Sequence, residues 1–275
     1  MKSILVHLDA SPRAAVRLDL AQRLANRHDA ELNVLYGVLP SLLAGPWITG
    51  EGMMAAASAL SELDKTQRDR ARATYDAATG KAPMRWLESD GIPYTTLTQN
   101  ALYADLLVLG QADSKDALSG ALPPDLVAGA IIDTGKPTLV VPYAGTFDSL
   151  PSRILIAWKP TREAARAVSA ALPWLRLASS VHIATRSEQG NALGADPGAA
   201  ALKNWLAVQG VHAAIRTHEM GPGDVGEGLL SLAADTAAEC LVMGCYGHGR
   251  TREWVLGGAS RTILGSMTLP LLTVH

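Results

Sequence analysis

The chain of 275 residues has one phenylalanine, two cysteines, almost balanced charge and no long apolar run, and each shortage excludes something. A bilayer-crossing helix needs about 20 consecutive apolar residues, and no run approaches that length, so no membrane partner is expected. Cys240 and Cys245 fall on one extended segment and its end. There they would stand roughly 16 Å apart at ~3.3 Å per residue, beyond disulfide reach. Free thiols in a reducing cytoplasm are the expectation. With 24 Lys and Arg against 26 Asp and Glu, the formal net charge is −2, which offers no general attraction to nucleic acid or anionic lipid. The opening MKSILVHLDASPR is interrupted by His7 and Asp9, too early for a secretory signal.

What is present is the composition of a globular protein, 48% apolar and 18% charged, with length enough for two domains. The chain also says one thing twice. Ser3-Ile4-Leu5-Val6 returns as Arg153-Ile154-Leu155-Ile156, and Asp105 to Gly110 (DLLVLG) returns as Glu239 to Gly244 (ECLVMG). Pro137 and Pro142 bound one closing run, and Pro270 leads the other. Short, continuous apolar runs ending in glycine or proline read as buried parallel strands. The expected strands are 2–8, 31–37, 84–88, 105–110 and 138–142, then 153–158, 180–185, 212–217, 239–244 and 270–274.

Helical patterns separate them. Ser11-Pro12 reads as an N-cap followed by proline, with Ala14, Leu18, Ala21 and Ala25 on one side. Thr161 opens the matching helix, where Ala164, Val168, Ala171 and Leu175 make the apolar stripe and Arg162, Arg166 and Arg176 fall between. Alternating strands and helices predict α/β architecture: two tandem doubly wound, Rossmann-like domains, each a five-stranded parallel sheet with helices on both faces. The domains are expected at 1–146 and 147–275, with a linker over 143–152 rich in proline, glycine and polar residues.

In an open parallel sheet, ligands sit beyond the carboxyl ends of the strands where the strand order reverses. Gly244 and Gly247 follow the fourth strand of the second half, and Gly257-Gly258 open its last helix. Glycine permits close backbone approach, and the first N–H groups of a helix lack internal partners, so the segment suits a phosphate. Its spacing, glycine, two residues, glycine, nine residues, glycine, resembles the nucleotide loop of the universal stress protein family. Two such halves in tandem resemble a bacterial two-domain member over nearly the whole chain.

The resemblance implies strand order 3-2-1-4-5 in each half, pairing of the two last strands as an intramolecular pseudo-dimer, and in some members a bound ATP. It places phosphate contacts on Gly244, Gly247, Gly257, Gly258 and Ala259, with Met243 and Tyr246 beside the ribose or adenine, and Trp158 and Lys159 at the first-strand end. Two positions depart from the family pattern. Gly258 stands where a hydroxyl residue is usual, which removes one hydrogen bond of about 1 kcal/mol, and Lys159 stands where an aspartate is usual.

The first half keeps Asp9 at its strand end but has Asp113 in place of the second glycine, with Asp116 nearby and Pro123-Pro124 on the approach to the next helix. No phosphate cradle is expected there. His182, His212 and His218 lack a common metal-ligand spacing. There is no G-x-S-x-G elbow and no Walker lysine loop. The expectation is therefore a non-enzymatic, cytoplasmic stress-response module with an adenine nucleotide, ATP or a relative, in the second domain; further homodimerisation is compatible with it. Its rivals are a nucleotide-free interaction module and a nucleotide-hydrolysing enzyme.

Overall fold

A computed structural model describes residues 1–38, 40–41, 53–79, 83–88, 92–112, 125–186, 196–218, 225–245 and 258–275. The chain divides into two compact units, Met1–Lys136 with Thr146–Ser149, and Pro137–Gly145 with Leu150–His275.

In the first unit, β1 (Ser3–Leu8), β2 (Glu31–Tyr36), β3 (Met84–Glu88) and β4 (Leu106–Gly110) run parallel in the order β3-β2-β1-β4. Helices α1 (Ala14–His28), α2 (Met53–Ala78), α3 (Pro93–Ala101) and α4 (Leu126–Thr134) connect and cover them. The predicted stripe of α1 is its buried face: Ala14, Leu18, Ala21 and Ala25 are all buried. On the opposite layer Leu5, Leu35, Leu107 and Leu109 pack with Leu97, Ala101, Leu126 and Ala130.

The second unit contains β6 (Arg153–Ala157), β7 (Ser180–Arg186), β8 (Ala213–His218), β9 (Cys240–Gly244) and β10 (Leu271–Val274), with α5 (Arg162–Leu175), α6 (Pro197–Val208), α7 (Val225–Asp235) and α8 (Gly258–Ser266). It also takes β5 (Thr138–Val141) from the first half of the sequence. β5 lies antiparallel to β10, pairing Leu139 with Leu272 and Thr138 with Thr273, so the last strands of the two repeats meet. Counted along the sequence, each half has the strand order 3-2-1-4-5.

Strand limits fall within one residue of those read from the sequence, but α1 starts differently. Its N-cap is Arg13, without a side-chain hydrogen bond. Ser11 instead gives its hydroxyl to Asp9 Oδ1 at 2.5 Å, so the cap read at Ser11 is diverted to the strand end. Thr161 does cap α5, accepting from the Ala164 N–H at 3.3 Å. Both repeats fasten their first strand in one way: Asp105 Oδ2 accepts from the N–H groups of Lys2 and Ser3, and Glu239 Oε2 from those of Ser152 and Arg153.

Candidate ligand site

Each unit gathers the carboxyl ends of its first and fourth strands, and the two gatherings differ. In the first unit, Asp9 leaves β1 and meets Arg17, which reaches back from α1. Arg17 Nη2 lies 2.9 Å from Asp9 Oδ2, and both side chains are only 4% exposed. The same guanidinium covers the end of β4: Nη1 lies 1.9 Å from where a Cβ on Gly110 would stand. An arginine thus occupies the volume that a side chain at position 110 would need. Burial alone would raise the Asp9 carboxyl. The Arg17 charge, with His7 and two hydrogen bonds from Ser11, reverses this and holds it at about 2. His7, fully enclosed, donates from Nε2 to the Gly37 carbonyl at 2.7 Å, and its burial lowers its pKa. Asp113, Asp116, Pro123 and Pro124 lie outside the described residues.

In the second unit no such pair forms at the matching positions. Lys159 follows β6 and is exposed, while the helix position corresponding to Arg17 is Ala167, which is buried. Gly244 serves packing: a Cβ there would stand 2.4 Å from the Ala164 nitrogen and 2.5 Å from the Glu163 carbonyl carbon. The first turn of α5 thus rests directly on the end of β9. Met243 is buried in β9. Gly258, at the first turn of α8, has no heavy atom within 4 Å of a Cβ position. Ala259 is half-buried, and its carbonyl lies 3.2 Å from a Cβ position on Gly226, where α7 and α8 approach closely. Trp158 is half-buried, its indole nitrogen 3.5 Å from a Cβ position on Gly198. The expected contacts Tyr246, Gly247 and Gly257, with His248, Arg250, Arg252 and Trp254, lie outside the described residues.

Cys245, the last described residue before the glycine segment, is buried. Burial pushes its thiol up to about 11, while hydrogen bonds with Thr273, at 2.7 Å, and Ser260 oppose the rise. Cys240 is likewise buried and its thiol raised to about 12; neither cysteine is disulfide-bonded. His182 accepts from Arg216 Nε at 3.4 Å. Among the described residues no group of histidine, cysteine and carboxylate side chains is arranged to hold a metal ion, and no helix is long and apolar enough to cross a membrane.

Arg17 and His7 were not singled out by sequence. Arg17 had one signal: it adjoins Leu18 on the side of α1 that carries the apolar stripe, where an arginine needs a buried partner.

No family model and no curated protein matches the chain. Solved structures do. A universal stress protein from Archaeoglobus fulgidus DSM 4304 aligns over 98% of this chain and 94% of its own, with a TM-score of 0.70 and 17% identity. A functionally unknown protein from Pseudomonas aeruginosa PAO1 aligns over 100% of this chain and 92% of its own, with a TM-score of 0.61 and 16% identity. Over its full length, the chain has the fold of the archaeal universal stress protein.

Proposed function

We propose that this chain is a tandem universal stress protein, cytoplasmic and non-enzymatic, whose second unit alone takes an adenine nucleotide such as ATP. The observation that carries the proposal is the contrast between the two crevices. In the first unit Arg17 fills the space over Gly110 and neutralises Asp9, so the residues present do not fit a nucleotide. In the second, α8 begins at Gly258 with open space beside it and an exposed Lys159 follows β6. Backbone N–H groups at Gly258 and Ala259 would meet a phosphate, helped by the partial positive charge of the helix start. Lys159 would add a point charge.

A second reading, the nucleotide-free interaction module, is favoured by Gly244, whose open side faces the α5 backbone. Denaturing the freshly purified protein and analysing the released small molecules separates the two: co-purified adenine nucleotide supports the first. A phosphate-release assay with ATP and magnesium checks the absence of turnover, and sustained release would replace both readings with an enzyme.

A further inference from the structure

We propose that the outer face of α6 docks an acidic, amphipathic helix of a partner protein. The face lies where α6 runs into the amino end of β8, away from the carboxyl ends of the strands, and is independent of the nucleotide reading.

α6 buries one side, through Ala199, Leu202 and Leu206, against β7 and β8. Its other side is apolar as well. Trp205 is 39% exposed and Val208, one turn further on, 83%. Ala201 and Ala207 are exposed too. The end of α5 joins this surface: Arg176 donates from Nε to the Gln209 carbonyl at 3.1 Å and from Nη2 to the Gln209 side-chain oxygen at 3.0 Å. That pair of bonds brings the chain at Leu177, itself 52% exposed, to the end of α6 that carries Val208. Single exposed apolar side chains are ordinary on any protein. Several on adjoining elements, with a tryptophan among them, mark a surface that is covered in use.

The repeat supplies a control. The matching helix of the first unit is α2, which leads into β3 as α6 leads into β8. Its last turns present the exposed ion pair of Arg72 with Asp76, at 3.0 Å, followed by the exposed Thr79. The same place in the fold is thus polar in one unit and apolar in the other.

Charge decides what covers the face. From Pro197 to His218 the chain has Lys203, His212, Arg216 and His218 and no aspartate or glutamate, and Arg176 borders the same end of α6. A second copy of the chain, related by a two-fold axis, would set these cations against themselves. A partner helix with apolar residues on one side and carboxylates flanking them meets both features. Its apolar side chains pack on Trp205 and Val208, with Ala201 and Ala207 allowing close approach, and its carboxylates complement Lys203 and Arg176.

The test titrates three synthetic helical peptides into the full chain, each with leucine along one face and either glutamate, glutamine or lysine on both sides of it. The glutamate peptide should bind about fivefold more tightly than the glutamine peptide, and the lysine peptide should not bind. Val208→Glu and Trp205→Ala should each weaken the glutamate peptide about tenfold, and Lys203→Glu should shift the preference toward lysine. Val208→Glu should keep the wild-type melting temperature, so that lost binding reports the face and not the fold. Equal binding of the three peptides, no binding of the glutamate peptide, or binding that Val208→Glu leaves intact would overturn the proposal. Sedimentation of the chain alone and flotation with phosphatidylglycerol vesicles test the other occupants. Self-association or vesicle binding that Val208→Glu abolishes would assign the face to a second copy or to a lipid surface, and either result would overturn the proposal.

Discussion

Arg17 and Asp9 form an ion pair of 2.9 Å that is sealed from water and lies against Gly110, at the carboxyl ends of β1 and β4. One side chain of α1 thereby makes the carboxyl ends of β1 and β4 part of a core. The second repeat has Ala167 and Lys159 in the corresponding places, and nothing in the described residues plugs its crevice in the same way.

Breaking this pair should destabilise the first unit strongly. Asp9→Asn leaves the buried Arg17 guanidinium without its counter-charge, at an expected cost of about 3–5 kcal/mol. The double change Asp9→Asn with Arg17→Met should cost clearly less than the two single changes added together, because no charge is left unpaired. Urea unfolding of the four proteins measures the coupling; simple additivity would mean that the two groups do not act as a pair.

The same cluster sets a dependence on pH. The folded pKa of His7 is depressed by burial, so its contribution is complete above its unfolded value of 6.5 and is lost as pH falls through its folded value. Asp9, folded at about 2 against 3.8 unfolded, contributes about 2 kcal/mol above pH 3.8, lost as pH falls to about 2. Between pH 7.5 and 5, loss of stability in the first unit should therefore come from His7 rather than Asp9. His7→Gln, which keeps a donor for Gly37, should flatten melting temperature against pH in that window. An unchanged slope would assign it to other groups.

Two glycines near the crevice of the second unit should respond oppositely. Gly244→Ala pushes a methyl group into the backbone of Glu163 and Ala164 and should cost several kcal/mol, within the usual range for overpacking of about 1–3 or somewhat above. Gly258→Ala meets open space at a helix start and should be neutral or stabilising by up to about 1 kcal/mol. Thermal unfolding of the pair decides it. Equal effects would contradict the assignment of Gly244 to packing.

Cys240 and Cys245 should be inert in the native protein. Both are buried and their thiol pKa values raised, so the thiolate that reacts is scarce. A chromogenic disulfide reagent should titrate no thiol in the folded protein and two after denaturation. Fast labelling of Cys245 in the native state would show that the end of β9 opens readily.

The strands were legible because several are short apolar runs closed by glycine or proline and because the repeat supplies their landmarks twice, whereas their order followed from the resemblance to the universal stress protein family. Ser11 shows the limit of local reading: serine before proline is a good cap signal, yet a carboxylate two residues back captured its hydroxyl. The close contact of Gly244 with α5 was hidden for a similar reason. A glycine after a strand looks alike whether it faces a phosphate or the backbone of a helix 80 residues earlier in the chain. The Arg17 cover over Gly110 depends on a contact across β1, α1 and β4, which sequence spacing does not display.

The most direct test of a one-sided tandem protein is the stoichiometry of nucleotide binding, measured by calorimetric titration of ATP with magnesium into the wild type and into Gly258→Ser. One ATP should bind per chain, with affinity tightened about fivefold by the added hydroxyl, and Asp9→Asn should leave the stoichiometry at one. Two nucleotides per chain would contradict a first crevice closed by Arg17, and no binding by either protein at millimolar ATP would show that the second crevice is not a nucleotide site.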